Sequence, residues 1–208
     1  MPAGAVASAK VLAPVPVPGK RSLFVVESPP KVKTLAQYLG NEYLVLATKG
    51  HVRVIPSILG AIAPDNDYAM AFEVPLRQKG NVAVIVRAAH DAGAVYLAMD
   101  PDREGEAIAW HLLREMENAG VRYAPSAAAS LGADGACDVV RELATAGGAS
   151  APKRPVKRSG SAAAEEGADA GVDVWRVSFN SVSKKAVHDA LAARRAVDLN
   201  LVAAQQAR

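Results

Sequence analysis

The stretch from residue 94 to residue 120 limits the possible folds more than any other part of the chain. It reads AVYLAMDPDREGEAIAWHLLREMENAG: an uninterrupted apolar run, a turn rich in carboxylates, and a segment with amphipathic helical spacing. The apolar run predicts a strand that is buried on both faces, and Gly120 stands where a helix end favours glycine. A buried strand followed directly by a helix is typical of the parallel sheets of α/β proteins.

Apolar runs followed by helical patterns recur along the chain. The other predicted strands are SLFVVE (22–27), YLVLATKGH (43–51) and VWRVSFN (174–180), and the other predicted helices are KVKTLAQYLGNE (31–42), SKKAVHDALAARR (183–195) and the start of one in DLNLVAAQQAR (198–208). This alternation predicts an α/β fold with a mainly parallel central sheet flanked by helices. In the helix predicted at 31–42, Gly40 stands where a helix end favours glycine, and the residues that share one apolar face are Val32, Leu35, Tyr38 and Leu39. The segment NVAVIVRAAHDAG (81–93) is ambiguous, because VAVIV favours a strand whereas RAAHDAG resembles a helix end capped by Gly93.

The composition permits one sizeable core, since 50% of the 208 residues are hydrophobic. Cys137 is the single cysteine, which excludes an internal disulfide and a zinc site built on cysteines. No run of about 18 apolar residues occurs, so no membrane-spanning helix and no membrane partner are predicted. The net charge of +3 is only a weak indication of anionic partners, because charge must be clustered to attract them.

Two segments depart from the pattern of a packed domain. Residues 1–21 are rich in Ala, Val and Pro and contain no acid; they predict a flexible leader, with an organelle-targeting peptide as the alternative. Residues 124–172 are dominated by Ala, Gly and Ser and contain few apolar anchors, which predicts a disordered insert. KRPVKR (153–158), inside that insert, is interpreted as a solvated linker, with a nuclear-localisation or DNA-binding patch as the alternative.

Carboxylates follow two of the predicted strands. Asp100, Asp102 and Glu104 come directly after the apolar run at 94–99, and Glu27 ends SLFVVE. Parallel strands end at one edge of a sheet, so we expect the four acids to converge there. Clustered carboxylates repel one another unless a cation neutralises them, and oxygen ligands suit Mg²⁺. The alternative is an ordinary helix start, in which Asp102 and Glu104 interact favourably with the helix dipole.

A lysine stands at the start of the helix that follows Glu27. Lys31 comes after the turn SPP, where a cation fits the helix dipole poorly unless an anion is bound. This position predicts a phosphate held by the helix N-terminus and by Lys31. The alternative is a solvated lysine after a Pro-Pro turn.

Several motifs in a fixed order resemble one family. They are VVESPPKVKTLAQYLG, KGHVRVIPS, AMDPDREGEAIAWHLL, RVSFNSVSKKAVHDAL and DLNLVAAQQAR. Together they resemble the N-terminal part of the bacterial-type type IA DNA topoisomerases, over about residues 21–120 and 174–208. The resemblance implies a Toprim domain of Rossmann-like fold over residues 22–182, interrupted by the insert, and the truncated start of a helical domain over residues 183–208.

The resemblance also implies an activity: Mg²⁺-dependent, ATP-independent breakage, passage and religation of single strands, which relaxes negatively supercoiled DNA. It implies a general acid/base role for Glu27 and contacts of Lys31 and Arg103 near the scissile phosphate. The residues expected to bind Mg²⁺ are Glu27, Asp100, Asp102 and Glu104. The residues expected to contact DNA are Lys31, His51, Arg53, Arg103 and Arg208.

The chain departs from the family pattern at three places. Val54 and Ser181 stand where the family usually has acids, and SPPK replaces SPAK. The family's tyrosine nucleophile belongs to a motif of the M-R-T-D-S kind, which this sequence lacks. We therefore expect that further topoisomerase domains are needed and that this chain does not cleave or relax DNA by itself. The rival hypotheses are a non-catalytic Toprim remnant that binds nucleic acid or a partner protein, and a Toprim nuclease or primase.

Overall fold

The computed structural model of the chain describes residues 19–65, 68–124 and 171–207. The predicted leader up to residue 18, the interior of the predicted insert from residue 125 to residue 170, and Arg208 lie outside the described residues. Within those ranges the strands are β1 (Ser22–Val26), β2 (Tyr43–Ala47), β3 (Ile62–Ala63), β4 (Ala69–Met70), β5 (Ala94–Ala98) and β6 (Asp173–Arg176). The helices are α1 (Pro29–Leu39), α2 (Leu76–Asp91), α3 (Arg103–Asn118), α4 (Lys184–Ala192) and α5 (Leu199–Gln206).

Four strands form the central sheet in the order β2-β1-β5-β6, and every neighbouring pair is parallel. This arrangement confirms the predicted α/β fold with a parallel central sheet. The inner strands are β1 and β5, and their apolar runs at 23–26 and 95–98 are buried throughout. Because helices cover both faces of such a strand, its sequence shows no alternation of polar and apolar residues.

The helices divide between the two faces because alternate residues of a strand point to opposite sides. In β1, Leu23 and Val25 enter one core cluster together with residues of α2, α3 and α5, whereas Phe24 and Val26 enter a second cluster with α1 and α4. The predicted apolar face of α1 is confirmed, since it supplies to that second cluster Val32, Leu35, Tyr38 and Leu39. Helices α4 and α5, which follow residue 183, pack in these same clusters. The domain boundary predicted at residue 183 stays a prediction.

The ambiguous segment NVAVIVRAAHDAG is part of helix α2. Val82, Ile85 and Ala89 are buried in the first core cluster, whereas the Val84 side chain is 58% exposed. A strand would place Val82 and Val84 on the same face, so the burial follows the helical period. The apolar run was ambiguous because helix and strand periods coincide over such short distances.

Three glycines were predicted to end helices, and two of them do so. Gly40 and Gly120 follow α1 and α3 with φ angles of +75° and +85°, a conformation that favours glycine. The predicted cap at Gly93 is wrong, because Gly93 does not have a positive φ and its N–H donates to the carbonyl of Arg21 at 3.0 Å rather than to a carbonyl of α2. None of the helices in the described part of the chain is long and apolar enough to cross a membrane.

The two flanks of the predicted insert lie side by side. Tyr123 and Val172 form an isolated parallel β-bridge, with the Val172 N–H donating to Arg122 O at 2.7 Å and the Ala124 N–H donating to Val172 O at 3.1 Å. Both margins of the predicted range 124–172 are therefore part of the folded domain.

Candidate functional site

The predicted acids lie at the edge where the parallel strands end. Val26 is the register partner of Ala98, so the residues that follow β1 and β5 leave the sheet side by side. Glu27 comes directly after β1, and Asp100 lies two residues beyond β5. The expected meeting of these two acids is thus a consequence of strand order and register.

Glu27 senses the neighbouring carboxylates. Its pKa is raised from the ordinary value of 4.5, first by partial burial and then by the negative charges of Asp100 and Glu104, with Asp102 adding a smaller effect. Lys31 opposes this rise. A carboxyl group with a raised pKa holds its proton more readily than an exposed glutamate, which is the property that a general acid requires.

Lys31 lies in the first turn of α1 and reaches across to β5. Its Nζ donates to Asp100 Oδ1 in an ion pair, and the Lys31 side chain is 26% exposed. This contact excludes the interpretation of Lys31 as a freely solvated lysine. It also places the Lys31 ammonium group among the four carboxylates, where its positive charge offsets part of their mutual repulsion.

The N-terminus of α1 offers few backbone donors to a phosphate. Pro29 and Pro30 are the first two residues of the helix and carry no N–H, and the Lys31 N–H donates to Ser28 O at 3.2 Å. The predicted anion site at this helix end therefore rests on the Lys31 ammonium group more than on the backbone. Proline at position 30, where the family pattern SPAK has alanine, removes one of the N–H groups that could otherwise bind a phosphate.

Asp102 performs the role that the alternative interpretation assigned to it. It is the N-cap of α3, and its Oδ1 accepts from the Gly105 N–H at 2.7 Å. The turn is tight: a Cβ at Gly105 would lie 2.2 Å from Asp100 O, so only glycine fits there. The cap fixes one oxygen of Asp102 at the start of the helix and thereby limits how its carboxylate can approach a cation.

His51 and Glu104 complete the group of polar side chains at this end of the sheet, which we call the polar edge. Its other members are Glu27, Lys31, Asp100 and Asp102. His51 lies in the loop after β2, and its Nε2 is 3.4 Å from Glu104 Oε1. The two side chains are 54% and 48% exposed. The structure therefore brings His51, a residue predicted to contact DNA, beside the acids of the turn.

The donor chemistry of this edge fits Mg²⁺, although its arrangement is not closed around an ion. Four carboxylates on one strand edge supply the oxygen ligands that Mg²⁺ prefers. Among residues 19–65, 68–124 and 171–207, however, no three His, Cys, Asp or Glu side chains are close enough together to hold a metal ion. Asp100 would have to exchange Lys31 for the cation.

Arg53 and Arg103, two of the arginines predicted to contact DNA, have different surroundings. Arg103 begins α3 beside the acids and is partly buried. Arg53 has a side chain that is only 3% exposed; its Nε lies 3.3 Å from Glu115 Oε1 and its guanidinium lies over the Phe72 ring. The structure does not place Arg53 on a surface that DNA can reach, in contrast to the expectation. Arg208 lies outside the described residues.

Sequence reasoning missed a buried arginine behind the site. Arg176, at the end of β6, is wholly buried, and its guanidinium donates to the Met99 carbonyl at 2.8 Å and the Asp100 carbonyl at 2.6 Å. It therefore holds the backbone of the turn that carries Asp100. The available signal was a charged residue in the middle of the apolar strand VWRVSF.

Comparisons with known proteins agree on the kind of domain. The Toprim domain family matches residues 22–127. The chain is 37% identical over 187 residues to the DNA topoisomerase 1 of Rickettsia felis, covering 89% of this chain and 18% of that protein. It is 44% identical over 101 residues to the DNA topoisomerase 1 of Xylella fastidiosa strain Temecula1, covering 49% of this chain and 12% of that protein.

A solved structure shows the same relation. Full-length topoisomerase I from Thermotoga maritima is similar with a TM-score of 0.58 and 26% sequence identity, over 89% of this chain and 23% of that one. The chain thus spans less than a quarter of the length of each of these proteins.

Proposed function

Because this chain belongs to the Toprim domain family, we propose that it is the Toprim part of a type IA DNA topoisomerase. The proposed activity of the complete enzyme is Mg²⁺-dependent, ATP-independent breakage, passage and religation of single strands, which relaxes negatively supercoiled DNA. The observation that carries the proposal is the polar edge at the ends of β1 and β5, where Glu27 senses the charges of the D-x-D-x-E turn and Lys31 pairs with Asp100. Relatives named DNA topoisomerase 1 support it.

Each side chain of this edge has a proposed role. Glu27, with its raised pKa, donates a proton to the 3′-oxygen as the strand is broken and accepts it back from the 3′-hydroxyl during religation. Lys31 and Arg103 contact the scissile phosphate through charge-assisted hydrogen bonds. Mg²⁺, held by Glu27, Asp100, Asp102 and Glu104, would supply positive charge that neutralises these acids and the phosphate oxygens.

The proposal assigns only part of the reaction to this chain. The family's nucleophilic tyrosine belongs to a motif that the sequence lacks, and the chain spans less than a quarter of its named relatives. We therefore expect the chain to bind Mg²⁺ and to contact single-stranded DNA without cleaving it. Cleavage and relaxation would require the remaining topoisomerase domains.

One observation favours a second candidate, a non-catalytic Toprim domain that binds nucleic acid or a partner protein. Lys31 already neutralises Asp100, and the described residues contain no closed metal-binding group. A domain with this ion pair in place could retain its fold without a cation. The two candidates differ in whether Mg²⁺ displaces Lys31 from Asp100.

Calorimetric titration of the chain with Mg²⁺ distinguishes the two candidates. The variant Asp100→Asn/Glu104→Gln removes two charges from the edge without removing the Asp102 cap. The matched control is Asp189→Asn, which removes a carboxylate paired with Lys185 on the exposed face of α4. Saturable binding that is lost in the double variant and kept in the control supports the proposal. Weak binding that is equal in all three proteins contradicts the Mg²⁺ site and favours the non-catalytic domain.

A further inference from the structure

A second glutamate of α3 has no part in the polar edge. Glu106 is wholly buried, and both of its carboxylate oxygens accept hydrogen bonds. Its Oε1 accepts from Arg176 Nε at 3.0 Å and from Arg195 Nη2, and its Oε2 accepts from the Asp198 N–H at 3.1 Å. The three donors come from the end of β6, the segment after α4 and the start of α5, which are separate parts of the chain.

The Arg176 side leads to the turn that carries Asp100. Besides Glu106, the Arg176 guanidinium donates to carbonyl oxygens at the end of β5 and in the turn beyond it, those of Leu97 (3.1 Å), Met99 (2.8 Å) and Asp100 (2.6 Å). Hydrogen bonds from a charged guanidinium are stronger than those between neutral groups. The backbone on which Asp100 stands is therefore held by an arginine whose own orientation depends on Glu106.

The Arg195 side leads to helix α5. Arg176 and Arg195 exchange two backbone hydrogen bonds of 2.7 and 3.0 Å, which join the end of β6 to the segment before α5. Asp198 is the N-cap of α5 and accepts from the Asn200 N–H at 3.0 Å, while its own N–H donates to Glu106. The start of α5 is thereby attached to the same carboxylate as the Asp100 turn.

We propose that Glu106 is a positioning residue that holds the Asp100 turn and the N-terminus of α5 in one fixed arrangement. It acts through Arg176 on the turn, and through Arg195 and the Asp198 N–H on the helix. The functional consequence rests on the proposed function, because it concerns Mg²⁺ binding at the turn. The structural consequence does not, since it concerns only how firmly the turn and the helix are held.

Charge makes Glu106 hard to replace. Its single carboxylate stands between two guanidinium groups, and burial lowers the pKa of Arg176 while Glu106 opposes this effect. Without the carboxylate, the buried Arg176 guanidinium would lose its counter-ion and face the positive charge of Arg195, whose side chain is 42% exposed. Glutamine at this position keeps the size and an acceptor oxygen but not the charge, so it would weaken both sides of the network together.

Amide hydrogen exchange on Glu106→Gln tests the structural consequence. We expect faster exchange in residues 97–100 and in residues 199–203, with α1 unchanged, because both branches lose their shared anchor. Arg195→Gln cuts only one branch and should accelerate exchange in α5 alone. The control Glu117→Gln removes another paired carboxylate of α3, the partner of Arg114, and should change neither region. Unchanged exchange at the turn and α5 in Glu106→Gln would overturn the proposal.

Magnesium titration of the same proteins tests the functional consequence. At temperatures where circular dichroism shows each variant to be folded, Glu106→Gln should bind Mg²⁺ about tenfold more weakly, as is typical when the support of a metal site is removed. Glu117→Gln should bind like the unaltered chain. If the unaltered chain binds no Mg²⁺, the proposed function fails and hydrogen exchange alone decides the positioning role. If Glu106→Gln does not fold, exchange of α5 in Arg195→Gln decides it: faster exchange supports the role and unchanged exchange refutes it.

Discussion

Two glutamates that stand two residues apart on α3 have opposite surroundings. Glu104 is about half exposed and touches His51 at 3.4 Å, whereas Glu106 is wholly buried and accepts from three donors. Each residue of a helix turns by about 100°, so two positions amount to about 200° and the two side chains leave the helix on opposite sides. The difference teaches that the acids of this region have two functions. The outer acids, of which Glu104 is one, are open to a ligand, whereas the inner acid Glu106 stabilises the fold around them.

The largest expected effect breaks this comparison at the inner residue. Glu106→Ala leaves Arg176 and Arg195 without their anion and should lower the free energy of unfolding by about 3–5 kcal/mol. Glu104→Ala removes an exposed side chain and should change that free energy by no more than about 0.5 kcal/mol. Urea unfolding of both variants measures the difference. Equal losses would show that the inner and outer glutamates are not distinct in the way that the structure indicates.

A smaller effect is expected at Asp102, which has both an outer position and a structural hydrogen bond. Asp102→Ala removes the N-cap of α3 and should lower the free energy of unfolding by about 1 kcal/mol. Asp102→Asn keeps an acceptor for the Gly105 N–H and should preserve most of the stability. If Asp102 also binds Mg²⁺, the Asn variant should bind the cation more weakly at nearly unchanged stability. Denaturation and calorimetry on the same pair of proteins separate the two roles.

The smallest expected effect is the pH dependence that Glu27 introduces. Its folded-state pKa is raised above 4.5, so the folded chain holds this proton more tightly than the unfolded chain. Below the ordinary value both states are protonated, and the stability of the chain relative to Glu27→Gln should be at its highest. That relative stability should decrease as the pH rises through the raised pKa and then level off. Urea unfolding of both proteins from acidic to neutral pH measures this difference, and an increase with pH would contradict the raised pKa.

Much of the fold follows from local pattern. The apolar segments SLFVVE (22–27) and AVYLAM (94–99) predict buried parallel strands, and the observed strands β1 and β5 confirm them. Local pattern did not decide the structure of the segment NVAVIVRAAHDAG, because its apolar residues fit both a strand and a helix. The burial of Val82 and Ile85 in the core decides for the helix. Local pattern fails where the competing structures differ only in what they pack against.

The candidate site divides in the same way. The strand-end positions of Glu27 and Asp100 predict their meeting, because parallel strands leave a sheet at one edge. The side chains that contact Asp100 lie far away in sequence: Lys31 is 69 residues from it, and Arg176, which donates to its carbonyl, is 76 residues from it. No periodicity relates such residues, and the burial of Arg53 likewise depends on Glu115 in a distant helix.

The sequence by itself determined the α/β architecture, the glycines that follow α1 and α3, and the edge at which the acids collect. These features depend on residue type and on the short-range spacing of apolar residues, and both can be read directly from the linear sequence. Only the tertiary structure decided which acid is open and which is enclosed, that Lys31 pairs with Asp100, and that Arg176 holds the turn. These choices depend on desolvation and on charges brought together by folding, and both are properties of the packed molecule.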